Sequence, residues 1–478
     1  MQNVETQTTT PISPEQVAEK QELLKKIYTW ASKNTSEARH LLNFKYYWPK
    51  AATDLIRTLE LSEGSIIVLA GLSGVGKSSA QAQVAKALNE KLASQKREGA
   101  QERKAVHFKW PGYFDSNYDE ILASLKEQSV WPKGEELMEL VVERLVKMRD
   151  ARVLKRHLKE LYGENFDWDF SFVDKGLAAY TNSEMQALVL KVMSRAKMST
   201  EVIAKRLLGP NDLKSLHREL VISLLSNCHS ILIDLRDYGM KDSRAMNTDL
   251  NEIQKLWQYM NEYLYSKKAA SPELQLTSPN LVFVLQKELA TTEDARPANY
   301  FLGKVARTFE IAPFARDELI RAYVEEFGST WPFEELALLR LAYHSRGIFR
   351  QFLRYIQLSL DPYVQSLEKG EITSLSLEAM DKSLPHDEMA RDTETELRQI
   401  FPYGSYWKVA FHIIIALGAS EQPMTQTQLQ EIVQMPDEHG QKSSVNQPAF
   451  STIVKKLEDY GFVKRENTSS GKLVSLNT

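Results

Sequence analysis

Cysteine is almost missing from this chain: Cys228 is the only one in 478 residues. One thiol excludes an intramolecular disulfide and a cysteine-based zinc site. It lies in Leu-Leu-Ser-Asn-Cys-His, just ahead of an expected strand, where it reads as a small buried filler rather than a reactive thiol. Long apolar runs are missing too. None approaches 18 residues, so no membrane-spanning helix is expected. The first dozen residues are polar and lack the apolar stretch of a signal peptide, so a cytoplasmic protein without membrane contact is the expectation. Neither charge sign dominates, with 60 Lys and Arg against 63 Asp and Glu. A uniformly basic nucleic-acid binder is therefore excluded, and any such role needs a local patch. The hydrophobic share of 43% and charged share of 26% are globular values. The length predicts two to four domains.

What the chain does contain is a glycine loop between a strand and a helix. Ser65 to Ala80 reads Ser-Ile-Ile-Val-Leu-Ala-Gly-Leu-Ser-Gly-Val-Gly-Lys-Ser-Ser-Ala. An apolar strand runs into Gly71-x-x-x-x-Gly76-Lys77-Ser78, the phosphate-binding pattern of nucleoside triphosphatases. Gly71, Gly74 and Gly76 permit a backbone path that turns successive N–H groups, through Leu72, Ser73, Val75 and Ser79, toward one anion. Lys77 supplies a cation for the β- and γ-phosphates, and Ser78 offers a hydroxyl to Mg²⁺. The helix expected over Ser78 to Lys91, with Ala80, Val84, Ala87 and Leu88 on one face, adds its positive end. ATP with Mg²⁺ is the expected ligand.

A second signature is Ser230-Ile-Leu-Ile-Asp234. An apolar strand tipped by one carboxylate would work with Ser78 on the metal's water shell. Many hydrolases follow this aspartate with glutamate, which polarises the attacking water. Here Leu235 follows, then Arg236 and Asp237. Asp237 and Glu288 are candidates for that task, and Gln286, at the end of the apolar run Asn280 to Leu285, could position water. Rapid hydrolysis is not implied.

Along the chain, residues 1–18 read as a disordered tail. Helical pattern from Glu19 to about Leu59 is expected to pack on the edge of the nucleotide domain. Core strands are expected at Ile66–Ala70, Ala105–Trp110, Ser230–Asp234, Asn280–Leu285 and Thr308–Ile311, alternating with helices in a parallel sheet. About 150 residues separate Lys77 from Ser230, more than a plain α/β unit needs. A helical insertion over about 130–210 is therefore predicted, as a possible protein-binding surface. Its basic run Lys147, Arg149, Arg152, Lys155, Arg156 and Lys159 is interleaved with Glu143, Asp150 and Glu160 and reads as a solvated helix face. Residues 19–314 thus form the expected core, 315–400 a helical lid and connector, and 401–478 a separate small domain.

That last domain has apolar-faced helices at Trp407–Leu417, Thr425–Val433 (with Thr425 or Thr427 as N-cap) and Gln447–Tyr460. Pro448 suits a first turn and Gly461 a helix end. Two strands around Phe462–Glu466 and Lys472–Leu476 complete a pattern similar to winged helix-turn-helix domains. Its third helix would present Asn446, Gln447, Ser451 and Lys455 to a DNA major groove, with Lys456, Lys464, Arg465 and Lys472 toward phosphates. The domain is close to neutral, and winged helices also dock proteins, so both uses stay open.

With glycine loop, Asp-tipped strand, polar-tipped strand and helical lid in this order, the chain resembles AAA+ ATPases. The likeness is to their replication-origin-recognition branch and to relatives among signalling ATPases with numerous domains (STAND). Gly71–Ser78, Ile231–Asp234, Val282–Gln286 and Ser345-Arg346-Gly347-Ile348-Phe349-Arg350 carry the resemblance. It implies a lid arginine on the phosphates, Arg350 with Arg346 as fallback. It also implies a trans-acting arginine for a neighbouring copy, Arg307, and hence homo-oligomers on ATP binding. The long insertion and the missing glutamate depart from the pattern. GTPase-like elements fit less well, because the guanine-reading aspartate would fall on Leu289, whose apolar side chain accepts no hydrogen bond.

Overall fold

In the computed structural model the described residues are 14–35, 50–94, 103–112, 117–131, 210–235, 243–270, 277–287, 303–368, 374–384, 386–401, 405–420, 422–433, 445–468 and 471–476. The insertion over 130–210 lies almost wholly outside them, as do Asp237 and Glu288.

The core is a five-stranded, all-parallel sheet. Its strands are β1 (Ile66–Gly71), β2 (Ala105–Lys109), β3 (Ser230–Asp234), β4 (Asn280–Gln286) and β5 (Arg307–Ile311), in the order β2-β3-β4-β1-β5. Every residue of β1 is buried, as expected of a central parallel strand covered on both faces. Alternate residues separate the faces. Ile67, Leu69, Leu232, Val282 and Val284 join α2 (Lys50–Leu61) and α3 (Lys77–Ser94). Val68, Val106, Phe108, Ile231, Ile233, Phe283 and Leu285 join α4 (Tyr118–Glu127), α5 (Pro210–Ser226) and α6 (Ser243–Ala270). Each fully buried large aliphatic side chain contributes about 1.5–3 kcal/mol, so these two layers fix the sheet.

The lid follows as α7 (Arg316–Phe327), α8 (Glu335–His344) and α9 (Phe349–Glu368), then α10 (Leu377–Ser383) and α11 (His386–Ile400). The sequence places the whole N-terminal segment on the nucleotide domain's edge; among its described residues, α2 packs there. Helix α1 (Pro14–Thr35) instead buries Leu24, Ile27 and Ala31 in the lid core. Its Trp30 ring stands edge-on to Tyr323, Phe327 and Phe349. The aromatic payload on that face finds its complement in the lid, whereas α2 meets aliphatic sheet residues.

The C-terminal unit comprises α12 (Tyr406–Ala419), β6 (Met424–Thr425), α13 (Gln426–Val433), α14 (Gln447–Asp459), β7 (Val463–Thr468) and β8 (Gly471–Leu476). Its antiparallel sheet runs β6-β8-β7. This is a winged-helix arrangement; the two-residue β6 adds a third strand that was too short to read from the sequence. Thr425 is the N-cap of α13, receiving Gln428 N–H at 3.2 Å while the Gln428 side chain accepts from Thr425 N–H at 2.9 Å. Asn446 caps α14 by accepting from Ala449 N–H at 3.0 Å. Gly461, at φ 72°, ends it.

Candidate functional site

The strand order decides what meets at the carboxyl ends of the strands, where ligands sit in parallel α/β sheets. β4 lies between the glycine-loop strand and the aspartate strand. Gln286 is in register with Gly71, and Asp234 with Val284. Gln286 therefore stands between the loop and the carboxylate, reaching about 7 Å further along the strands than Asp234.

The loop has the shape its glycines allow. Gly74 and Gly76 take left-handed φ values of 82° and 91°. A Cβ on Gly71 would come within 3.0 Å of both the Ile311 carbonyl and Val75, so a side chain there would need β5 or the loop to give by a few tenths of an ångström. Helix α3 begins at Lys77, with Ala80 N–H donating to the Gly76 carbonyl at 2.9 Å. Gln81, buried, donates to the Leu232 carbonyl at 2.6 Å and pins α3 against β3. That pin sets up the main contact of the site: Ser78 Oγ donates to Asp234 Oδ2 at 2.5 Å, joining residues 156 apart in sequence. Asp234 is itself held from β2, where Trp110 N–H donates to its carbonyl at 2.8 Å. Lys77 is 8% exposed and its ammonium donates to the Leu72 carbonyl at 2.9 Å, folded over its own loop. Ser73 and Ser78 are exposed, and Ser79 is partly so.

The residues present fit a triphosphate with Mg²⁺. The loop offers main-chain N–H groups at a helix start, the donors suited to an anion. The Ser78 hydroxyl and Asp234 carboxylate offer hard oxygens of the kind Mg²⁺ prefers, beside a substrate that supplies more.

Of the two lid arginines, Arg350 is exposed in the first turn of α9, and its N–H lies 3.3 Å from the Gly74 carbonyl. A Cβ on Gly74 would touch Ile348 at 2.9 Å and Arg350 at 3.1 Å. The lid thus rests on the loop itself. Arg346 turns away: it ion-pairs with Glu396 and covers the Phe462 ring at 3.8 Å. In this arrangement its guanidinium is directed to Glu396 and Phe462. Arg307 begins β5 in register with Ile67. It lies at the end of the sheet opposite its own glycine loop, exposed and stacked on Phe309 at 4.7 Å. From there it does not reach its own glycine loop.

In the winged helix, Asn446, Gln447, Lys455, Lys464 and Lys472 are exposed and Ser451 is partly so. Several of its cations are engaged within the chain. Lys464 pairs with Glu466 at 2.7 Å, Arg465 Nε donates to Glu458 at 2.6 Å, and Lys456 lies over the Phe401 ring at 5.6 Å.

Sequence reasoning missed Lys287 and Asn280. Lys287 follows Gln286 and pairs with Glu310 at 2.7 Å. Asn280 is fully buried at the start of β4. An amide opening an otherwise apolar strand was a readable signal for the second.

No family model matches the chain, and no curated protein matches it. Solved structures do. It is similar to the Walker-type ATPase of Pyrococcus abyssi, at 11% identity over 93% of this chain and 97% of that one, with a TM-score of 0.40. It is similar to the Aeropyrum pernix ORC2 protein in its ADP form, at 12% identity over 93% of both chains, TM-score 0.39. The Drosophila ORC bound to DNA matches at 11% identity over 100% and 94%, TM-score 0.36. The fold is a parallel sheet entered by a glycine loop, with a helical lid and a winged helix.

Proposed function

We propose that this chain is an ATP-dependent switch whose C-terminal winged helix binds duplex DNA. The observation that carries the nucleotide part is the 2.5 Å contact between Ser78 and Asp234, which brings the two separately recognised signatures to one point beside the glycine loop. Residues Gly71 to Ser79 cradle the phosphates and Lys77 leaves the Leu72 carbonyl to reach them. Ser78 and Asp234 would hold Mg²⁺, which would supply neutralisation of charge on the phosphates. Gln286 orients a water, and Arg350 reads the third phosphate from the lid. Arg307 serves the site of a second copy. Leu235 stands where a polarising glutamate often stands, so rapid turnover is not implied; Asp237 keeps its candidacy from outside the described residues. The units are a core to residue 314, a lid over 315–400 joined by α1, and a winged helix over 401–478.

Calorimetric titration tests the site. Lys77→Ala is expected to lose at least about 100-fold in ATP affinity, and Ser78→Ala to lose the Mg²⁺ dependence. Unchanged affinity in Lys77→Ala would overturn the assignment. For DNA, Gln447 and Ser451 face the bases, while Lys455 and Lys472 meet phosphates. Binding should fall on the order of tenfold between about 50 and 200 mM salt, as expected for a few phosphate contacts.

The pairing of Lys464 and Arg465 with acidic partners favours a second reading, a STAND-like signalling or defence ATPase. Its winged helix and insertion would bind proteins. Absence of salt-sensitive DNA binding, with ATP binding intact, selects it.

A further inference from the structure

Two cations, one at the end of β4 and one in the lid, reach the same short stretch of the winged helix. Lys287, the residue after Gln286, pairs with Glu310 of β5 at 2.7 Å and donates to the Asp459 carbonyl at 3.1 Å. That carbonyl is at the last residue of α14, where helix carbonyls lack intrahelical partners and the dipole is negative. Arg346, from the lid, covers Phe462, three residues further on. Its guanidinium is held by Glu396, and its side chain is 14% exposed. Between the two contacts lies the end of α14. Gly461 N–H donates to the Glu458 carbonyl at 2.9 Å and Phe462 N–H to the Leu457 carbonyl at 2.8 Å.

The mountings of these cations differ. Lys287 is on the core sheet, one residue beyond the position in register with Gly71. Arg346 is in the turn between α8 and α9, with φ 52°, followed by Gly347 at φ 75°. Two residues later Ile348 packs against Gly74 of the glycine loop. A change of angle between core and lid moves the two grips relative to each other. Both grips hold one hydrogen-bonded helix end, Asp459–Phe462, so a change in their separation strains at least one of them.

We propose that the winged helix reads the core–lid angle directly, with Lys287 and Arg346 as a two-sided grip on the end of α14. A nucleotide that moves the lid releases one grip and leaves the other as pivot, re-aiming α14. This rests on the nucleotide reading above and deepens it, since it supplies the contact through which the loop's occupancy reaches the C-terminal unit.

The test is amide hydrogen exchange on the full chain, free and with saturating ADP or a non-hydrolysable ATP analogue plus Mg²⁺. It is read in peptides covering 453–463. Lys287→Met removes one grip and keeps the stem; Phe462→Leu removes the other's ring and keeps an apolar side chain. Without nucleotide, each variant should speed exchange at 457–463 by about fivefold or more relative to the parent chain. In the parent the two nucleotides should give different protection there, and in the double variant that difference should vanish. Nucleotide affinity should stay within about threefold throughout. Unaltered exchange in both single variants, or a nucleotide-dependent difference that survives in the double variant, overturns the proposal. If the parent binds no nucleotide, the nucleotide reading falls by itself; the grips are still judged by the free-state exchange. A global loss of protection in one variant is separated from grip loss by Glu310→Gln, which loosens Lys287 without touching the winged helix.

Discussion

The two ends of the five-stranded sheet are built in opposite ways. At the amino ends of the strands, side chains stitch neighbouring segments together. Buried Asn280 accepts from Ser65 N–H at 3.1 Å and from Ser62 at 3.2 Å, and donates to the Ser62 carbonyl at 2.7 Å. Arg103 donates to the Cys228 and Thr277 carbonyls at 2.6 and 2.8 Å. At the carboxyl ends, the polar groups close on themselves: Lys77 on its own loop, Ser78 on Asp234. These are contacts a ligand can replace. One end is tied across strands, and at the other Lys77, Ser78 and Asp234 are tied to one another and to the loop, so the proposed ligand could replace those contacts without disturbing the first end.

This contrast can be broken experimentally. The largest effect is expected where the lid meets the core, at Gly347→Ala. A Cβ there would lie 2.2 Å from the Phe314 carbonyl, at φ 75°. A loss of about 4 kcal/mol in urea unfolding is expected. Asn280→Ala, at the amino end, should cost about 3 kcal/mol, because Ser65 N–H and the Ser62 groups lose a buried partner. Its nucleotide affinity should not change. Lys77→Ala, at the carboxyl end, should do the reverse: folding stability within about 1 kcal/mol of the parent, with ATP binding lost. If Asn280→Ala abolished ATP binding while sparing stability, the division of labour between the two ends would be wrong.

Smaller effects sharpen the same picture. Burial lowers the pKa of His107 below its ordinary 6.5. It does so for His229 as well, with Arg103 adding to the shift. Such groups take up protons more readily when unfolded, so stability is full above about pH 6.5 and declines as pH falls below it. Denaturant midpoints at pH 7.5 and 5.5 should differ in that sense, and less so in His107→Gln. Smallest of all is the thiol. Burial pushes Cys228 up to about 12, so the folded chain should resist iodoacetamide at pH 8 while the urea-unfolded chain labels readily.

Much of this was legible in the sequence, for physical reasons. The glycine loop is contiguous, and its residue types are dictated by backbone conformation and phosphate chemistry, so it reads directly. Central parallel strands announce themselves as unbroken apolar runs, and Asp234 was placed at the tip of one. What sequence does not carry is which strands are neighbours. The position of Gln286 between loop and carboxylate comes from the order β3-β4-β1. The long-range partners of Arg346 and Lys287 follow from tertiary packing that no local spacing encodes. The docking of α1 was misread because an amphipathic face records that it must be covered and not by what.

That docking has a practical edge. A shortened protein beginning at residue 50, the obvious trim for a nucleotide-binding unit, would take Trp30 out of its cage of Tyr323, Phe327 and Phe349. It would also strip Lys20 from the Trp331 ring. The piece left behind would keep its glycine loop yet expose the apolar lid face that α1 covers, a ready site for aggregation.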